Sequence, residues 1–169
     1  MLLRIKESLM RLFLSIAWVT AIIVLWLAGE CRAQTFDEME ESGVAHFKKG
    51  YYEALPKKKM AEAADEFWKS ETALREAIKQ NPNRASAYLH LGRTLFVQEK
   101  YQEAAEIYAA AVEIDPGNKP VYLQLASARE MSGDYVGAVG ALEQLRAMED
   151  DPQALRMIDD LISRIRARK

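Results

Sequence analysis

The chain has 169 residues, half of them hydrophobic and 28% charged, with a formal net charge of -2. That suits a single globular core and lacks the cationic footprint a nucleic-acid backbone requires. Cys31 is the only cysteine, which excludes an intramolecular disulfide and any thiol pair for zinc or redox chemistry.

Residues 1–33 read as an address. Arg4, Lys6 and Arg11 stand against Glu7, Leu12 to Gly29 runs 18 residues without a charge, and Glu30-Cys31-Arg32-Ala33 follows. A basic head, an apolar stretch and a short polar exit form the layout of an export signal. As a helix the run would span about 27 Å, near the roughly 30 Å hydrocarbon core, which favours a retained N-terminal anchor. The small side chains of Cys31 and Ala33 favour a signal peptide cleaved after Ala33; Glu30 before Cys31 disfavours a lipoprotein signal. Both readings place the body outside the cytosol, periplasmic or secreted, because basic residues precede the run and Glu30, Asp37, Glu38, Glu40 and Glu41 follow it.

Beyond residue 66 the landmarks return every 34 residues: Phe67 with Tyr101 and Tyr135, Leu74 with Tyr108, Pro82 with Pro116, Tyr88 with Tyr122, Leu91 with Leu125. Residues 34–84 join this pattern irregularly. We expect a long helix from about Phe36, a break at Pro56, and a second helix to about Gln80 with Met60, Ala64, Phe67, Leu74 and Ala77 inward. Gly43 would be a helix-contact glycine, and LPKKKMAEAAD an insertion.

Residues 85–118 form the clearest unit. Tyr88, Leu91, Gly92 and Leu95 share one helical face, and Tyr101, Ala104, Tyr108 and Ala111 share another. Gln98-Glu99-Lys100 connects the two helices, and Asp115-Pro116-Gly117 ends the second, because proline cannot continue it. Residues 119–151 repeat the design with Tyr122, Leu125, Gly133, Asp134, Tyr135, Ala138 and Leu142, and depart from it with Ala126 in place of the glycine and Leu145 in place of the last alanine. One hairpin cannot bury both its faces alone, so the hairpins must stack. The expected fold is all-α, a short solenoid of antiparallel helix hairpins behind an N-terminal hydrophobic export or anchor helix.

Residues 152–169 read as a capping helix. Asp151 is its N-cap and Pro152 its first residue. Leu155, Ile158, Leu161, Ile162 and Ile165 form its apolar stripe, with Arg156, Asp159, Arg164 and Arg166 in water.

At Tyr88, Leu91, Gly92, Ala104, Tyr108, Ala111 and Pro116 the chain resembles the tetratricopeptide repeat family, whose 34-residue units carry these residue types in this order. The resemblance covers residues 66–152 well and 36–65 weakly. It implies a concave groove lined by the first helix of each unit, which holds a peptide or helix of a protein partner. Its lining would be Ser86, Leu89, Arg93 and Phe96 in one unit and Leu123, Ser127 and Glu130 in the next. Arg93 is the residue suited to orienting a ligand carboxylate. The competing reading packs Leu89 and Phe96 against the first hairpin and fills the groove. Leu89, Arg93, Leu123 and Ser127 do not reproduce the Lys/Asn clamp of family members that grip acidic chaperone C-termini, and export would also remove those chaperones from reach.

No catalytic constellation is legible. His46 and His90 lack ligand-spaced partners, and no Gly-rich phosphate loop, G-x-S-x-G or H-E-x-x-H occurs. The expected function is therefore a non-catalytic scaffold without metal or cofactor, assembling an envelope protein complex. The alternative is an accessory subunit of a larger envelope enzyme or transport machine. Self-association through the N-terminal side and membrane attachment through an uncleaved segment stay open.

Overall fold

The computed structural model describes residues 35–168, all the regular structure of which is helical. Two compact units divide the chain, residues 1–38 and 39–169. Of the first, residues 35–38 are described and are helical. Among the described residues no helix is long and apolar enough to cross a membrane. The expected export or anchor segment, residues 1–33, lies outside them.

The second unit opens with α1, helical over residues 39–48 and π-helical over Lys49–Ala54. Two glycines let α1 lie against its neighbour: a methyl added at Gly43 would stand 2.5 Å from Leu74 Cγ, and one at Gly50 2.9 Å from Phe67 Cε1. The chain then turns through Pro56, with Lys58 left-handed at φ 56°. Helix α2, Met60–Gln80, follows. Phe67, Leu74 and Ala77 point inward from it, as expected. Met60 and Ala64 do not: both are exposed, and Ala63, Glu66 and Ser70 are buried in their stead. The inner stripe is rotated because two polar residues find partners inside.

Helices α3 (Ala85–Val97), α4 (Tyr101–Ile114), α5 (Lys119–Met131) and α6 (Tyr135–Ala147) follow as two hairpins. Their construction repeats at the 34-residue interval down to single hydrogen bonds. The Tyr88 hydroxyl donates to the Pro82 carbonyl at 3.0 Å, and Tyr122 donates to Pro116 at 3.1 Å. Each tyrosine thus ties the first helix of a unit to the break before it. The hairpin turns match as well: Glu99 (φ 62°) and Gly133 (φ 86°) are both left-handed, and Lys100 N and Asp134 N close onto Leu95 O and Arg129 O.

The core runs through the stack from Leu74 to Ile165. Leu91, Leu95, Tyr108, Val121, Leu125 and Leu142 supply its bulk, each stabilising the fold by roughly 1.5–3 kcal/mol on burial. Ala104, Ala111, Ala126, Ala138 and Ala141 are buried between them and let the helices approach. Helix α7, Pro152–Arg166, closes the core with Ile158, Ile162 and Ile165. Asp151 caps it, its carboxylate accepting from Ala154 N at 2.8 Å.

Candidate functional site

The face of α3 opposite its core stripe carries Ser86, Leu89, Arg93 and Phe96, at spacings of three and four residues. The core claims Ala87, Leu91, Thr94 and Leu95 from the same helix. Leu89 and Phe96 are half-buried and pack at the edge of the main core, with Phe96 set edge-on to Tyr101 at 5.2 Å between ring centroids. Ser86 and Arg93 are half-exposed. Arg93 forms no ion pair among the described residues.

Helix α5 touches α3 directly. It presents Leu123, which is 40% exposed, and Ser127, also exposed. Glu130 is half-buried and committed: its carboxylate accepts from Arg168 at 2.7 Å, tying α5 to the end of α7. Of the seven residues read from sequence, Leu123 and Ser127 are the exposed ones.

Glu40, Lys48, Arg84 and His90, none of them among the seven groove residues, shape the same region. Glu40 of α1 is buried and pairs with Arg84 at 3.2 Å. Burial favours the neutral imidazole of His90, on which Glu40, Arg93 and Lys48 also act electrostatically. The carboxylate of Glu40 and the ammonium of Lys48 thus bear on α3 beside Arg93. Irregular spacing before residue 66 left α1 without a register, so nothing in the sequence aligned these groups with α3.

Among the described residues no group of three His, Cys, Asp or Glu is placed to hold a metal ion. The face has apolar contact area, flanking hydroxyls, and in Arg93 a cation with no ion pair among the described residues.

Two models described as Tetratricopeptide repeat match residues 61–119 and 95–161, together more than half of the chain. The chain belongs to the tetratricopeptide repeat family. It is 41% identical over 56 residues to small glutamine-rich tetratricopeptide repeat-containing protein 2 of Mycosarcoma maydis, a match covering 33% of this chain and 16% of that protein. It is 33% identical over 88 residues to the small glutamine-rich tetratricopeptide repeat-containing protein of Dictyostelium discoideum, covering 52% of this chain and 26% of that one. The chain thus spans about a quarter of one of these relatives and less of the other. Among solved structures, the TPR2B domain of yeast Sti1, in an Hsp70 complex, superposes with a TM-score of 0.63 at 21% identity, over 80% of this chain and 99% of that one. The TPR domain of Arabidopsis OM64 gives 0.62 at 21%, over 82% and 99%. At this identity the likeness establishes the tetratricopeptide fold.

These matches overturn one expectation. The extracytoplasmic location, periplasmic or secreted, does not stand, nor does the envelope-complex setting attached to it: the matched small glutamine-rich and Sti1 proteins are of the cytosolic co-chaperone type. The physical reason lies in what had carried it. Apolar length and charge bias before residue 34 describe that segment alone, whereas small-against-large helix packing proceeds identically on either side of a membrane. The body of the repeat array holds no residue that reports its compartment.

Proposed function

We propose that this tetratricopeptide repeat chain is a non-catalytic adaptor that seats an extended or helical segment of a protein partner on the α3–α5 face. Leu89, Phe96 and Leu123 supply apolar contact, Ser86 and Ser127 hydrogen bonds, and Arg93 the pairing with a carboxylate of the partner. The observation that supports the reading is Arg93, half-exposed on the helical face that carries Leu89 and Phe96 and without an ion pair among the described residues. Glu130 belongs to the rim, because Arg168 already holds it.

The Sti1 domains in complex with Hsp70 and Hsp90 raise the chaperone C-terminus as an occupant. Separation from cytosolic chaperones no longer argues against it. The residues still do: Leu89, Leu123 and Ser127 occupy positions where that recognition requires lysine and asparagine. We therefore assign the groove to a more apolar segment carrying one acid.

The test is recovery of a crosslinked partner by the full chain with Leu89, Arg93 and Phe96 changed together. Recovery lost from a variant whose helical circular dichroism is intact supports the groove; unaltered recovery refutes it. A titration with Hsp70 and Hsp90 C-terminal peptides, expected to show no saturable binding, decides the occupant.

A further inference from the structure

The outward face of α7 carries a pattern that capping does not require. A cap needs only a polar exterior, yet Met157 is 62% exposed and Leu161 half-buried on this face. With Asp160, Ser163, Arg164 and Ala167 they line one shallow open depression.

The charges near α7 divide into two sets. Asp159 accepts from Arg146, Arg166 donates to Glu143 and Arg168 donates to Glu130, each at 2.7 Å, and these tie α7 to its own chain. Asp160 and Arg164 are exposed and form no ion pair among the described residues.

The two free charges are complementary to themselves. A second α7 laid antiparallel, with the twofold axis level with residue 162, sets Asp160 opposite Arg164, because the two lie four residues and about 40° apart on one helical face. Acid meets base on both sides of the axis, with Met157 and Ala167 beside the pair and Leu161 and Ser163 on the flanks. An isologous contact demands this property, because every residue must find its complement on an identical surface. A parallel pairing would set Asp160 against Asp160 and Arg164 against Arg164.

We propose that the outward face of α7 is a homodimer interface, in which two copies of this chain pack α7 antiparallel and Asp160 of each copy pairs with Arg164 of the other. The twofold axis makes this acid–base contact twice. The inference stands apart from the groove, since α3 and α5 present theirs on other helices.

Analytical ultracentrifugation of the full chain over a concentration series tests it. The wild type should show a reversible monomer–dimer equilibrium. D160R and R164D should each raise the dissociation constant about tenfold or more, because like charges then meet twice across the axis. An equimolar mixture of D160R with R164D should return to wild-type dimerisation, since opposite charges face each other again in the mixed pair. Helical circular dichroism of each variant, unchanged for these exposed positions, separates lost pairing from lost folding. A chain monomeric at every concentration, single variants that pair like the wild type, or a mixture that fails to recover would each overturn the proposal.

Discussion

Gly92 of α3 lies directly beneath the ring of Tyr108 of α4: a methyl at Gly92 would stand 2.5 Å from Cε1 and 2.7 Å from Cδ1. Tyr108 is fully buried, so its ring has nowhere to swing. Gly92→Ala should therefore destabilise the fold by about 1–3 kcal/mol through overpacking, despite alanine's roughly 1 kcal/mol helical advantage. Gly140 of α6 has nothing within 4 Å of the same added atom, so Gly140→Ala should stabilise by up to about 1 kcal/mol. Urea unfolding of the two variants should show midpoints moving in opposite directions. Shifts of the same sign would mean that contact at Gly92 does not set the helix spacing.

The two hairpin turns offer a second matched pair. Glu99 and Gly133 occupy equivalent left-handed positions, where a β-carbon costs roughly 1–2 kcal/mol. Glu99→Gly should raise the unfolding midpoint by the equivalent of about 1 kcal/mol, and Gly133→Ala should lower it by a similar amount. Thermal melts of both variants check the pair, and a destabilising Glu99→Gly would show that its side chain does more than fill the turn.

Acid should find the first hairpin early. Glu66 is 3% exposed; Lys49 donates to its Oε1 at 2.8 Å and His46 Nδ1 to its Oε2 at 2.6 Å. These hydrogen bonds, from Lys49 foremost, hold its carboxyl down to about 2 against an ordinary 4.5. A carboxylate depressed by folding stabilises the native state above its unfolded value, and that contribution disappears as pH falls through the folded one. Stability linked to Glu66 should therefore fade between pH 4.5 and 2. Glu66→Gln should flatten the melting temperature across that window relative to wild type. An unchanged slope would place the acid sensitivity elsewhere.

What the sequence disclosed, and what it hid, follows from how the interior is built. From Tyr88 to Leu145 small and large apolar residues alternate at helical spacing, so the two hairpins and their inward faces were legible at the level of single residues. In α2 the pattern misled from Met60 to Ser70. Assigning every polar side chain to solvent forces Glu66 and Ser70 outward and draws Met60 and Ala64 inward in compensation. Glu66 is instead satisfied inside by Lys49 and His46, and those partners lie on α1, some 20 residues away across a π-helical segment with no repeat register. The groove residues were nameable only through the family's geometry. Periodicity finds a core stripe, whereas the commitment of Glu130 to Arg168 depends on a partner 38 residues downstream.

The last prediction concerns the other buried polar group of α2. Ser70 and Thr94 are both fully buried, with their hydroxyls 3.0 Å apart across the α2–α3 contact. Thr94 spends its only hydroxyl proton on the His90 carbonyl at 3.0 Å, so Ser70 must be the donor between them. Thr94→Val keeps the shape but strands the Ser70 hydroxyl, and should destabilise by about 1–3 kcal/mol. Ser70→Ala removes the donor while Thr94 retains its own bond, and should cause a smaller loss of about 0.5–1.5 kcal/mol. The double variant should be less damaging than the two losses added, with a coupling of about 0.5–1.5 kcal/mol, because nothing stranded remains. Denaturant titration of the four proteins in the cycle measures that coupling directly. Strict additivity would mean that α2 and α3 are joined by apolar packing alone, and that the polar residues in the α2 stripe have no energetic role at this joint.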